Sequence, residues 1–191
     1  MRLDLVPIHL GLDREHVPAL AVRLEETFDA VVRERPPWFD PETCYDSSRG
    51  QYNSTRLLGA LLAGPVPQAD RILAVTGVDL FVPVLAWVFG EAQLAGPAAI
   101  VSTHRLHPEV YGLPVDPARL RARIETEAVH ELGHTYGLLH CVDPACAMHA
   151  STYAEEIDLK TSRFCVECAR VVAGRDGVRA AAPVRGATLL P

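Results

Sequence analysis

Three histidines and a glutamate in this chain are spaced like a metal site that carries its own base: His130, Glu131, His134 and His140. Residues four apart on a helix share a face, so His130 and His134 can offer their imidazoles to one cation. The string His130-Glu131-Leu132-Gly133-His134 is the HExxH pattern, whose two histidines bind zinc. Alone, the pattern arises by chance in helices rich in His and Glu. A pair of solvated histidines explains it equally well.

Gly137 decides between those readings. It stands where the helix should stop, and glycine accepts the left-handed backbone of a helix C-terminus. The chain can then turn sharply and return His140 as a third ligand. The whole string, HExxHxxGxxH from His130 to His140, has the metzincin form of the zinc motif. Three neutral imidazoles leave one zinc position open, which marks a catalytic site rather than a structural one. Zinc there acidifies water and polarises a carbonyl, and Glu131 can take the proton from that water and pass it to a departing amine. A zinc-dependent hydrolase of peptide bonds is the chemistry these residues predict.

Four of the five cysteines follow directly: Cys141, Cys146, Cys165 and Cys168, spaced C-x4-C and then C-x2-C. Two close pairs of thiolates suit a closed tetrahedral zinc site. Disulfides are the alternative, disfavoured because the N-terminus MRLDLVPIHL does not read as a secretory signal. Two zinc ions are therefore expected, one catalytic and one structural. Cys141 directly follows His140, so the structural ion should clamp the backbone that presents the third catalytic ligand.

The elements that must hold these groups show in the apolar pattern. Asp116-Pro117 is a helix start, with Asp as N-cap and Pro at the first helical position. Leu120, Ile124, Ala128 and Leu132 then recur every four residues as one apolar stripe. At ~100° per residue, Ala128 and His130 lie roughly 200° apart, so the ligand face should look into a cleft opposite the packed stripe. Upstream, residues 3–10 and 30–33 read as strands around a helix over 13–28, with Pro18 in its first turn. Residues 35–50 read as a loop and 52–62 as a helix that packs hard. Residues 71–75 and 97–102 are β-like, and the last part of the apolar segment 80–89 is expected to be a strand. The order indicates an α/β or α+β sheet domain over 1–174, followed by a loosely held tail over 175–191 rich in Ala, Gly, Pro and Arg.

Composition agrees with one globular domain: 191 residues, 49 % hydrophobic, 22 % charged, net charge −6. No basic block indicates a nucleic-acid partner. No stretch approaches a membrane span, since the apolar run 82–89 ends at Gly90 and Glu91. A cytoplasmic protein acting on peptides is expected; nothing fixes its oligomeric state, and a monomer fits.

The combination resembles the archaemetzincin family, whose pattern is HExxHxxGxxHC, a C-x4-C-x-M segment and a later C-x-x-C, all present between His130 and Cys168. Weaker likeness includes Arg49-x-Gln51-Tyr52, Val88-Phe89-Gly90, Ser102 and Arg105-Leu106. The resemblance implies a compact metzincin-like domain with a mixed β-sheet above the cleft, an active-site helix, a Met-turn and a C-terminal four-cysteine zinc subdomain below. It makes Met148 the Met-turn methionine, an apolar floor beneath the catalytic ion. By the same analogy, residues 98–103 are the sheet-edge strand that pairs with an extended peptide, a buried interior strand being the alternative.

Other residues carry blander expectations. His149 should be an exposed loop histidine, His104 and His107 surface histidines, and Asp158 a capping or fold-supporting acid. Tyr153 is five residues past Met148, not the two of tyrosine-bearing metzincins, which disfavours it as an oxyanion donor. Cys44 reads as a free surface or half-buried thiol, with a latency ligand for the catalytic zinc as the remote alternative. Two further functions compete: a metal-dependent ribonuclease, because one bacterial family spaces three histidines similarly but lacks the glutamate, and a non-catalytic zinc-stabilised binding protein. Glu131 argues against both.

Overall fold

In the computed structural model, residues 1–64 and 69–175 are described. They run β1 (Arg2–Ile8), α1 (Val17–Phe28), β2 (Val31–Glu34), β3 (Tyr45–Asp46), β4 (Gln51–Asn53) and α2 (Ser54–Leu62). After these come β5 (Arg71–Thr76), β6 (Leu80–Phe81), β7 (Gly90–Ala92), β8 (Ala98–Ser102), α3 (Pro117–Thr135), α4 (Ala154–Ile157) and α5 (Val166–Arg175). Apart from Arg175, the tail expected over 175–191 lies outside the described residues.

Side-chain alternation along the inner strands sets the layers. Leu73, Val75, Ala99 and Val101 join Leu20, Leu24 and Phe28 of α1 and the stripe of α3 in one core. Their neighbours Ile72, Ala74, Ala98 and Ile100 join Leu57, Leu58 and Leu61 of α2 in another. Strands buried on both faces have no polar side to spend, which explains why β5 and β8 read as continuous apolar runs. The main sheet has the order β2-β1-β5-β8-β7, parallel except for β7, and a smaller sheet has the order β3-β4-β6. The expected α/β domain with a mixed sheet is thus observed, as helices on both sides of that sheet.

Five local expectations need correction. Residues 11–16 form a 3-10 segment and the α-helix starts only at Val17, with Pro18 in its first turn because it has no N–H to give to an earlier carbonyl. The expected loop 35–50 contains a 3-10 turn at Pro41–Cys44 and the strand β3. The segment 80–89 is a strand at its beginning, not its end: β6 stops before Pro83, and Val84 is 89 % exposed. Strand β8 lies between β5 and β7, so residues 98–102 are interior and β7 is the edge. Cys44 is a free thiol as expected, but it is buried in the core on the α2 side, across the sheet from α3, not at the surface or half-buried and not placed as a latency ligand.

Helix α3 carries the site and begins as expected. Asp116 Oδ1 accepts from the Arg119 N–H at 3.0 Å, and Pro117 occupies the first turn. Leu120, Ile124, Ala128 and Leu132 are all buried. So is Arg123, at 1 % exposure, and its guanidinium forks onto both oxygens of Asp158 at 2.7 Å while donating to the Leu106 carbonyl at 2.9 Å. Asp158 therefore supports the fold, as anticipated, by tying α3 to the chain beyond α4. Asp158→Ala should leave a buried guanidinium without its counter-charge and cost about 3 kcal/mol in urea unfolding; a loss below about 1 kcal/mol would show that the pair is not what docks this segment.

Candidate metal centre

The last turn of α3 is closed by its own backbone. Gly137 has φ +77°, its N–H donates to the His134 carbonyl at 2.8 Å, and the Leu138 N–H donates to Gly133 at 3.2 Å. This is a Schellman ending, for which a left-handed glycine is the natural residue. The reversal turns the Leu138 carbonyl back to accept from His134 Nδ1 at 2.8 Å. His130 Nδ1 in the same way donates to the Ala147 carbonyl at 2.8 Å.

These two hydrogen bonds fix the tautomers. A nitrogen facing a carbonyl must carry the proton, which leaves Nε2 of each neutral ring as a lone-pair donor. The two Nε2 atoms lie 3.1 Å apart, with no hydrogen between them to share. His140 completes the group: the three rings have centroids 4.7–5.3 Å apart, and one ligand atom from each lies within 4.8 Å of the others. Two nitrogens on one tetrahedral zinc, at bonds of ~2.0–2.1 Å, stand about 3.4 Å apart. The residues present fit such an ion.

The ligand face of α3 is deeply buried at His130 and open at its far end, where His134 is half-buried and His140 exposed. His130 and Glu131 are each only 6 % exposed, because the chain after Gly137 and the strand β7 fold over them. Burial lowers the pKa of all three histidines, His130 well below its ordinary value and His134 to about 4. The pocket thus favours the neutral imidazoles a metal requires. Burial also pushes the Glu131 carboxyl well up, helped by the charges of Glu127 and Glu91 and opposed by Lys160. A cation held by the histidines would pull it back down.

Met148 is fully buried and packs under α3 at Gly133, where a Cβ would collide with its sulfur. Beside it, the four cysteine sulfurs lie within 4.8 Å of one another, Cys141 and Cys165 at 3.8 Å. That spacing is far longer than an S–S bond of ~2.05 Å and equals the edge of a tetrahedron with Zn–S bonds of ~2.3 Å. Cys165 precedes α5, and its thiol is shifted down chiefly by the backbone N–H of Cys168 in the first turn. Burial shifts Cys146 and Cys168 up. The two clusters share backbone: the Cys141 N–H donates to the Met148 carbonyl at 2.8 Å, and the Cys141 carbonyl accepts from His149 Nδ1 at 2.8 Å.

His149 is therefore half-buried and engaged, not an exposed loop residue. His104 is exposed, while His107 is half-buried with Nε2 2.9 Å from Asp13. Tyr153 is exposed, and its N–H donates to Glu156 ahead of α4. Two charged residues escaped the sequence reading. Lys160, with its side chain 1 % exposed, donates to Glu127 Oε1 at 3.0 Å and to the His149 carbonyl at 2.9 Å. Glu127 could have been found, lying one turn before Glu131 on the same face; no spacing points to Lys160.

The weaker upstream matches converge on the segment that leads into β7. Arg49 Nη2 donates to the Leu85 and Ala86 carbonyls, both at 2.9 Å, and Gln51 Nε2 to the Ala86 carbonyl at 3.1 Å and Asp79 at 2.9 Å. Arg105 forks onto Asp79 at 2.7 and 2.6 Å.

Comparison with known proteins agrees with this geometry. The model of peptidase family M54 matches residues 40–173. An archaemetzincin of Methanocaldococcus jannaschii is 43 % identical over 135 residues, covering 71 % of this chain and 73 % of that protein. The crystal structure of archaemetzincin from Methanopyrus kandleri superposes with a TM-score of 0.79 at 34 % identity, covering 91 % of this chain and 94 % of that one. A zinc-dependent peptidase from Methanocorpusculum labreanum superposes with a TM-score of 0.76 at 28 % identity, covering 89 % and 99 %.

The histidine shifts set a sign for acid stability of the metal-free protein. Unfolded histidine titrates near ~6.5, and folded His134 at about 4. Between those values the unfolded chain binds more protons, so stability present above pH ~6.5 is lost as pH falls toward 4. Chelator-treated protein should lose at least about 5 °C in its thermal midpoint between pH 7.5 and 5, and His134→Phe should flatten that slope. An unchanged slope in the variant would mean that His134 takes up its proton freely in the fold.

Proposed function

Since this chain belongs to peptidase family M54, the archaemetzincins, and is thereby a zinc metallopeptidase, we propose the residues by which it works. His130, His134 and His140 hold the catalytic zinc, and Glu131 is the general base. The observation that carries this reading is the pair of Nε2 lone pairs 3.1 Å apart, one residue from a buried carboxylate. When bound, zinc supplies Lewis acidity toward a water molecule and toward the peptide carbonyl.

The remaining steps belong to the chain. The carbonyls of Ala147 and Leu138 hold two imidazoles in the tautomer and orientation a ligand needs. Glu131 takes a proton from the attacking water and delivers it to the amine nitrogen as the peptide bond breaks. Met148 keeps the floor of the site dry and apolar. The free edge of β7, in place of 98–103, offers its backbone to an extended peptide.

Cys141, Cys146, Cys165 and Cys168 hold a second, structural zinc, and the shared backbone at Cys141 makes it a scaffold for the first. Residues 1–174 form one domain that works on peptides in the cytoplasm, without a nucleic-acid partner and without need of a second copy. Among the described residues no helix is long and apolar enough to cross a membrane. Membership of a peptidase family gives no support to the ribonuclease or binding-protein alternatives.

Glu131→Ala should lower cleavage across a peptide library by at least about 100-fold while leaving zinc content unchanged; cleavage that survives this change would overturn the proposed base. Metal analysis should find two zinc ions in the native chain. Cys141→Ser should shed the structural ion and let chelators strip the catalytic one more easily, and a variant still holding both as firmly as the native chain would refute the scaffold.

A further inference from the structure

We infer that Gly90 is a positioning residue for Glu131, setting the carboxylate by close packing rather than by hydrogen bonding; this rests on reading Glu131 as the base. The Glu131 side chain is buried, yet among the described residues no hydrogen-bond partner holds its carboxylate. The acids around it are all engaged. Glu127 takes Lys160 at 3.0 Å, and Glu91 takes the hydroxyls of Ser54 at 2.5 Å and Thr55 at 2.9 Å. A base left free of donors keeps its oxygens available for a proton, but something else must stop the side chain from changing rotamer.

The backbone of β7 does this. A Cβ placed on Gly90 would stand 2.6 Å from Glu131 Cγ and 2.7 Å from Cδ, well inside the ~3.5–4.0 Å of ordinary carbon contact. The space a methyl group would take is filled by the glutamate itself. Gly90 is not among the glycines with positive φ, so close approach, not backbone conformation, is what excludes a side chain.

The strand that presents this surface is held at a fixed height over α3. Gly90 pairs with Val101 in β8, Glu91 anchors to the start of α2, and the turn after β7 donates the Ala95 N–H to the His134 carbonyl at 2.9 Å. That last bond reaches a residue on the helix turn that carries Glu131. The wall and the group it confines are thereby tied to the same turn of α3.

A double-mutant cycle tests this. The same methyl would also stand 2.6 Å from the Ile100 carbonyl, so Gly90→Ala carries a strand-pairing cost that does not depend on Glu131. In metal-free protein, Gly90→Ala should lower the thermal midpoint at least about 3 °C more in the native background than in Glu131→Ala. With zinc, Gly90→Ala should lower kcat about 100-fold with KM within about threefold and zinc content unchanged, and should cost nothing further in Glu131→Ala. Equal midpoint losses in both backgrounds would overturn the inference. So would a change confined to KM, or failure of both the single and the double variant to fold, since each would assign Gly90 to strand pairing alone. Native protein without peptidase activity, combined with the expected coupling in the midpoints, would sink the general-base reading and leave the packing relation standing.

Discussion

The site depends on one backbone reversal at the end of α3. Gly137 enters the left-handed region, and the turn it permits does two things at once. It satisfies the last carbonyls of the helix, and it swings Leu138 back so that its own carbonyl orients His134. His140 then arrives on the open side of the two helical imidazoles. A residue with a Cβ at 137 would meet the cost of the left-handed backbone at the one point where the geometry of the ligands is decided.

Around that reversal the protein spends burial on charge. Helix α3 encloses Arg123, Glu127 and Glu131 on a surface almost wholly removed from water. Arg123 and Glu127 find opposite charges from beyond α4, in Asp158 and Lys160, which staple the cysteine-bearing segment onto the helix. Of the three, Glu131 alone has no such partner among the described residues. An unpaired buried carboxylate costs stability unless a cation lies close by, so a cation held by the three histidines would offset the cost of burying this acid.

How much of this could be read in advance followed from range along the chain. The candidate ligands, the N-cap at Asp116 and the stop at Gly137 lie on one helix and its exit, where spacing translates directly into geometry. The cysteines were legible for the same reason. Strand order was not: β7 is three half-buried residues, Gly90-Glu91-Ala92, with no apolar alternation, and only its pairing with β8 reveals it as the edge. The apolar run just before it looked more strand-like, but Pro83 and the exposed Val84 make it a turn. Lys160 and Cys44 were misjudged or missed because their surroundings come from remote segments.

The order of the elements along the chain has a consequence for biogenesis. Every described strand of both sheets lies at or before Ser102, and both candidate metal clusters lie between His130 and Cys168. A polypeptide leaving the ribosome N-terminus first presents every described strand before the first residue of either candidate metal cluster. The candidate ligands therefore emerge last, on a helix and its exit that complete the core on one face of the sheet.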